Sequence, residues 1–178
     1  VKSIPIGLIG GMEFNRNNKS LGLTINTFQS PSEAYVLDLK SNSLGYGRLT
    51  RWTFSEVGGL DTSKFVEPKL IHYPSFDSKK IPAFIYANKT EEPQPIIIYI
   101  HGGPEGQSRP RFSSTFQLWI KNLNVAVITP NVRGSEGYGK EYLSLDNGFN
   151  REDSVKDIGA LLDWIETQPD LDSERVAV

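Results

Sequence analysis

The segment with the clearest chemistry is His101-Gly102-Gly103-Pro104, which follows directly on the apolar run Ile96-Ile97-Ile98-Tyr99-Ile100. A carbonyl under nucleophilic attack gathers negative charge on its oxygen. A site that speeds the attack must aim N–H donors at that oxygen from about 2.7–3.1 Å. Glycine presents its backbone N–H with no Cβ in the way. Gly103 is therefore read as the oxyanion donor and Gly102 as the residue that shapes the turn. The same glycines also suit a plain strand-to-helix turn, and these four residues alone do not separate the two readings.

A second segment, Asn131-Val132-Arg133-Gly134-Ser135-Glu136-Gly137-Tyr138-Gly139, follows the next apolar run. Ligands of open α/β sheets bind beyond the carboxyl ends of the strands. His101, Arg133 and Tyr138 are therefore candidates for lining a site. Residue by residue the structural roles weigh more: the glycines make turns, Arg133 forms an ion pair, and His101 braces its loop. Ser135 is not a nucleophile, because Arg133 stands two positions before it; no serine of the chain sits in a Gly-x-Ser-x-Gly run. His72 reads as a packed or solvated strand residue. Two isolated histidines make no zinc site. No phosphate-binding or dinucleotide-binding glycine pattern is present, so no cofactor is expected.

Composition narrows the partners. The formal net charge of -2, with lysines and arginines scattered, gives no basis for binding nucleic acid or an anionic membrane. The absence of cysteine excludes a disulfide scaffold, a thiol nucleophile and a thiolate metal site. The longest apolar run, Ile96 to Ile100, falls far short of the roughly 20 residues of a membrane span. The 38% hydrophobic and 22% charged content fits a soluble globular chain, and the compartment stays open between cytoplasm and periplasm. The chain begins at Val1, so the lack of a leader pattern carries no weight.

The elements that must hold these loops divide in two. Residues 1–66 read as short β-strands: Leu21 to Ile25, Glu33 to Leu39 and Arg48 to Thr50, with turns at Ser30-Pro31-Ser32 and Ser41-Asn42-Ser43. Trp52 to Lys64 reads as a polar connector. Residues 67–178 open with a hairpin, Pro68 to Tyr73 and Ile81 to Tyr86 around the turn Ser75 to Lys79. From Ile96 the pattern alternates strand and helix, which argues for a parallel α/β sheet. Phe112, Phe116, Trp119, Ile120 and Leu123 recur at helical spacing, and Asn122 to Asn124 end that helix. Val125 to Thr129 is the next strand. Val155, Ile158, Leu161, Leu162 and Ile165 form a second helical face, with Glu152 and Asp153 in its first turn and Pro169 as its stop. Val176 to Val178 begins a further strand.

Taken in order, these motifs resemble the prolyl oligopeptidase family of serine peptidases, in particular its dipeptidyl- and acylaminoacyl-peptidase branch. The matching residues are Val36-Leu37-Asp38-Leu39 with Arg48-Leu49-Thr50, Ser75 to Pro82, His101 to Pro104, Asn131 to Gly139, and Asp157 to Val178. The resemblance implies that residues 1–66 end a β-propeller, as its last and incomplete blade. It implies that 67–178 form the first half of an α/β-hydrolase peptidase domain. It also implies a Ser-Asp-His triad beyond Val178, acting on short peptides, with the propeller barring large folded proteins. Only the Gly103 donor carries over. The family pattern has a glycine where this chain has Ser78, a change that alters the turn.

Two other readings stay open. One is an esterase or lipase on the same fold; the propeller-like amino-terminal part argues against it. The other is a non-catalytic relative used for binding. On the peptidase reading, residues 1–178 alone are expected to be hydrolytically silent and poorly soluble, because the last strand exposes an edge.

Overall fold

The computed structural model describes residues 4–40, 44–103 and 105–178. The turn expected at Ser41-Asn42-Ser43 and the proline at Pro104 lie outside the described residues. The chain divides into two compact units, Val1–Glu67 with Pro110–Ser114, and Pro68–Arg109 with Thr115–Val178.

The first unit is a four-stranded antiparallel sheet in the order β1-β2-β3-β4, with β1 at Leu8–Phe14, β2 at Ser20–Asn26, β3 at Glu33–Asp38 and β4 at Leu49–Arg51. Three of these strands stand where the alternation placed them. The fourth, β1, was not anticipated. Its run Leu-Ile-Gly-Gly-Met-Glu-Phe has no inward face: six of its seven residues are exposed, so no period-2 pattern marks it. Leu23, Ile25, Tyr35 and Leu37 form the core on one face of the sheet. Trp52 to Lys64 is a connector as expected, except for one short 3-10 turn at Thr62–Lys64.

The second unit holds a five-stranded sheet in the order β5-β6-β8-β7-β9. The strands are β5 (Lys69–Pro74), β6 (Lys80–Tyr86), β7 (Gln94–Ile98), β8 (Ala126–Pro130) and β9 (Leu171–Ala177). The expected parallel sheet is found only in part. β7 runs parallel to β8 and β9, while the β5–β6 hairpin joins through an antiparallel β6–β8 pair. The hairpin was legible as a hairpin, but nothing local told it which strand to join. With two antiparallel steps, β5 ends on the same side of the sheet as β7 and β8. Three connections therefore gather at one edge: the turn after β5, the loop after β7 and the loop after β8.

The helices cover this sheet. α1 (Ser114–Leu123) ends at Asn124, which takes the left-handed conformation (φ 52°) that suits asparagine just past a helix. Phe112 is not on this helix; it lies before it, in the first unit, with its ring 5.8 Å from that of Phe65. α2 is a single turn at Lys140–Leu143, and α3 runs Asp153–Glu166. The buried face of α3 keeps Leu161 and Ile165 of the expected one and differs in the rest. Asp157, Ala160, Leu161 and Ile165 are inside, while Val155 is 68% and Leu162 40% exposed. Asp157 sits inside because its carboxylate bonds a buried partner, described below. The core beneath it includes Tyr73, Ile81, Ile96, Ile98, Ile128, Leu161 and Ile165.

Candidate active site

The loop after β7 carries the proposed donors. Gly102 and Gly103 are both exposed, and among the described residues neither N–H is paired. Gly103 has φ 115°, a conformation that favours glycine. The loop turns back so tightly that a Cβ on Gly106 would lie 2.4 Å from the Gly102 carbonyl oxygen. Gly106 is thus required by close approach, a need the sequence pattern did not flag.

Four attachments fix this loop to the one after β8. The Ser135 hydroxyl donates to the Val132 carbonyl at 2.7 Å, and His101 Nε2 lies 2.9 Å from Ser135 Oγ. The Glu136 N–H reaches the carbonyls of Glu105 (3.2 Å) and Gly106 (3.1 Å). The Asn131 side chain bonds both backbone groups of Ser108. Arg109 and Glu136 form a wide, exposed ion pair at 3.5 Å. His101 therefore braces the loop through a serine that is itself fully buried.

Arg133 is drawn elsewhere. Its guanidinium bonds Asp157 through Nε (3.0 Å) and Nη2 (2.8 Å), and Asp77 through Nη1 (3.2 Å) and Nη2 (3.1 Å). Asp157 also accepts from the Arg133 backbone N–H at 2.9 Å and from the Ser75 hydroxyl at 2.5 Å. The exposed ring of Phe76 lies 4.5 Å from the guanidinium carbon. Hydrogen bonding from Arg133 holds the Asp77 carboxyl below its usual range. Burial works against the Arg133 charge, yet the bonds to Asp157 and Asp77 raise its pKa further above the ordinary value. Asp77, Arg133 and Asp157 sit on the β5–β6 turn, the β8 loop and α3, so one knot, buried except at Asp77, ties three elements together. Sequence reasoning counted Asp157 only within a matching stretch and missed its pairing with Arg133, because a lone aspartate inside a helix carries no local signal.

Tyr138 lies beside the same loop, half-buried, its hydroxyl accepting from Asn131 Nδ2 at 2.8 Å and its ring 5.2 Å from Tyr142. Burial pushes the Tyr142 phenol above its ordinary pKa, and that hydroxyl donates to the Asn131 carbonyl at 2.7 Å. His101, Gly102, Gly103 and Tyr138 thus belong to two loops bound to each other, while Arg133 points into the knot behind them. Among the described residues no group of histidine and acidic side chains is arranged to hold a metal. No helix of the described chain is long and apolar enough to cross a membrane.

Residues 110–178 match the Prolyl oligopeptidase family. The chain is 28% identical over 141 residues to dipeptidyl aminopeptidase BIII of Pseudoxanthomonas mexicana, which covers 74% of this chain and 20% of that protein. It is 31% identical over 98 residues to prolyl oligopeptidase A of Galerina marginata, covering 52% of this chain and 13% of that one. The chain thus spans a fifth or less of these curated relatives. Among solved structures, puromycin hydrolase superposes with a TM-score of 0.81 at 20% identity, covering 96% of this chain and 26% of that one. Prolyl oligopeptidase B of Galerina marginata bound to a 25mer macrocyclization substrate gives 0.81 at 20% identity, with 96% and 23% covered. These likenesses carry the fold: the carboxy-terminal part of the chain is α/β-hydrolase sheet, preceded by antiparallel propeller strands.

Proposed function

From the premise that this chain is prolyl oligopeptidase family sequence, we propose that it forms part of a serine peptidase that hydrolyses short peptides by acyl transfer. On this reading residues 1–66 end the propeller and 67–178 begin the hydrolase domain. The Gly103 N–H, with Gly102 shaping the turn, holds the oxygen of the tetrahedral intermediate. The serine attacks and a histidine shuttles its proton. None of the triad lies within the 178 residues, since none of their serines sits in the required strand-to-helix pattern. One observation carries the proposal most: two exposed glycine N–H groups, unpaired among the described residues, stand at the carboxyl end of β7 on a loop fastened to its neighbour. Water can satisfy such donors in the free protein, and a developing oxyanion can replace it.

The test uses the gene's full-length product and residues 1–178 alone. The full-length protein is expected to cleave a peptide anilide and to be labelled by a fluorophosphonate at a serine outside these residues. The 178-residue chain is expected to do neither. Peptide turnover by the short, mass-verified chain overturns the reading. A full-length protein that hydrolyses simple esters and ignores peptides supports the esterase alternative, and one lacking a reactive serine supports a binding relative.

A further inference from the structure

The two loops converge on Asn131. This residue is fully buried and uses every hydrogen-bonding group it has. Its N–H donates to the Pro82 carbonyl at 2.8 Å, and its carbonyl accepts from the Tyr142 hydroxyl at 2.7 Å. Its side-chain Oδ1 accepts from the Ser108 N–H at 2.7 Å. Its Nδ2 donates to the Ser108 carbonyl at 3.0 Å and to the Tyr138 hydroxyl oxygen at 2.8 Å.

An amide that pairs with both backbone groups of one residue copies a rung of strand pairing. It fixes where the chain lies at Ser108 and also which way it faces. At the other end of the loop, His101 is held by Ser135. Gly102 and Gly103 lie between these two anchors. A donor displaced by an ångström loses much of its value to a charge that exists only in the transition state.

We propose that Asn131 is a positioning residue for the oxyanion cradle: its amide sets the direction of the Gly102 and Gly103 N–H groups without touching substrate. The inference rests on the serine-peptidase reading above. It distinguishes Asn131 from a residue that only holds the fold, because misdirected donors weaken the binding of a charged tetrahedral oxygen and leave ground-state binding alone.

The experiment compares the full-length protein with its N131D and Y138F variants. N131D keeps an acceptor for the Ser108 N–H but removes both donations. Each form is assayed for kcat and KM on a peptide anilide. Inhibition is measured with a peptide aldehyde, which forms a tetrahedral adduct, and with the product peptide, which does not. N131D is expected to lose about 10- to 100-fold in kcat with little change in KM. The aldehyde should weaken by a matching factor and the product peptide hardly at all. Y138F, which leaves the pairing with Ser108 intact, should shift the same two quantities in the same direction by less. If N131D does not fold, Y138F decides the matter. An active wild type whose variants bind aldehyde and product with equal losses, or with none, overturns the inference. A wild type inert to peptide and to fluorophosphonate overturns the peptidase reading itself, and the inference falls with it.

Discussion

His101 Nε2 lies 2.9 Å from Ser135 Oγ across 34 residues of sequence, joining the loop after β7 to the loop after β8. The Ser135 hydroxyl donates a hydrogen bond to the Val132 carbonyl. Ser135→Ala therefore removes the hydroxyl partner of His101 Nε2, while the Val132 carbonyl keeps the Ser135 N–H at 3.1 Å. The expected cost is about 2 kcal/mol of unfolding free energy, read as a lower urea midpoint at unchanged slope. His101→Ala should cost less once Ser135 is already alanine. A double-mutant cycle with no coupling between the two sites would show that the contact does not brace the loops.

The Arg133–Asp157 pair predicts a larger and asymmetric effect. Asp157→Ala leaves a buried guanidinium with only Asp77 and the more distant Asp153 for charge partners. The loss should be about 3–5 kcal/mol. Arg133→Met combined with Asp157→Leu removes both charges and should unfold at higher urea than Asp157→Ala alone. Arg133→Lys should not rescue, because an ammonium cannot fork across two carboxylates. Equal stability of Arg133→Lys and the parent chain would show that the forked geometry is not needed.

These two contacts also show where sequence reading succeeded and stopped. The strand cores Ile96–Ile98 and Ala126–Thr129 were legible because burial writes itself into apolar, β-branched runs; the bounds were not, since β7 starts at the buried Gln94 and stops before Tyr99 and Ile100, which are exposed. His101 was legible as a brace and Arg133 as an ion-pair former, since those are what the residue types most often do. Their partners were not legible. Ser135 lies 34 residues from His101 and Asp157 lies 24 from Arg133, and only the folded sheet brings them together. Asp157 shares the buried face of α3 with Leu161 and Ile165, a place its side chain alone did not suggest. Gly106 escaped notice for a similar reason: its need comes from a carbonyl four residues back, which becomes a neighbour only when the loop closes.

Gly106 and Gly102 should respond oppositely to alanine. A Cβ on Gly106 meets the Gly102 carbonyl oxygen at 2.4 Å and His101 Nδ1 at 3.1 Å, whereas one on Gly102 meets nothing within 4 Å. Gly106→Ala is expected to destabilise by about 1–3 kcal/mol as the loop is forced open. Gly102→Ala should change stability by less than about 0.5 kcal/mol. Indistinguishable urea midpoints for the two variants would contradict the tight turn.

Glu33 sets an acid limit on the first unit. It is fully buried, and burial alone would raise its pKa. Bonds from the Thr53 hydroxyl, the Ser55 N–H (2.6 Å) and Arg51 (2.9 Å) outweigh this and lower it from 4.5 to about 2. A depressed carboxyl pKa stabilises the fold fully above the unfolded value and ceases to do so as pH falls through the folded one. Protection of the amides between Glu33 and Ser55 should therefore decay between about pH 4.5 and 2, as hydrogen exchange can measure. Glu33→Gln should be less stable at neutral pH and show a flatter decline over that window. A variant with an unchanged acid profile would assign the transition to other carboxylates.

Ser78 occupies the turn position at which the family resemblance leads one to expect glycine, and it pays in backbone strain. Its φ is 64°, in the left-handed region where a Cβ crowds the following carbonyl. The turn is otherwise well made, with the Ser78 N–H on the Ser75 carbonyl (2.9 Å) and the Ser75 N–H on the Lys79 carbonyl (2.8 Å). Ser78→Gly should relieve about 1–2 kcal/mol of strain and lose part of that to the greater freedom of glycine in the unfolded chain. The net expectation is a gain of about 0.5–1 kcal/mol, visible as a higher urea midpoint. Because Asp77 beside it accepts from Arg133, the gain should persist in Asp157→Ala, where the turn remains tethered by that second carboxylate. Destabilisation by Ser78→Gly in both backgrounds would mean that the serine contributes more to this turn than its conformation costs.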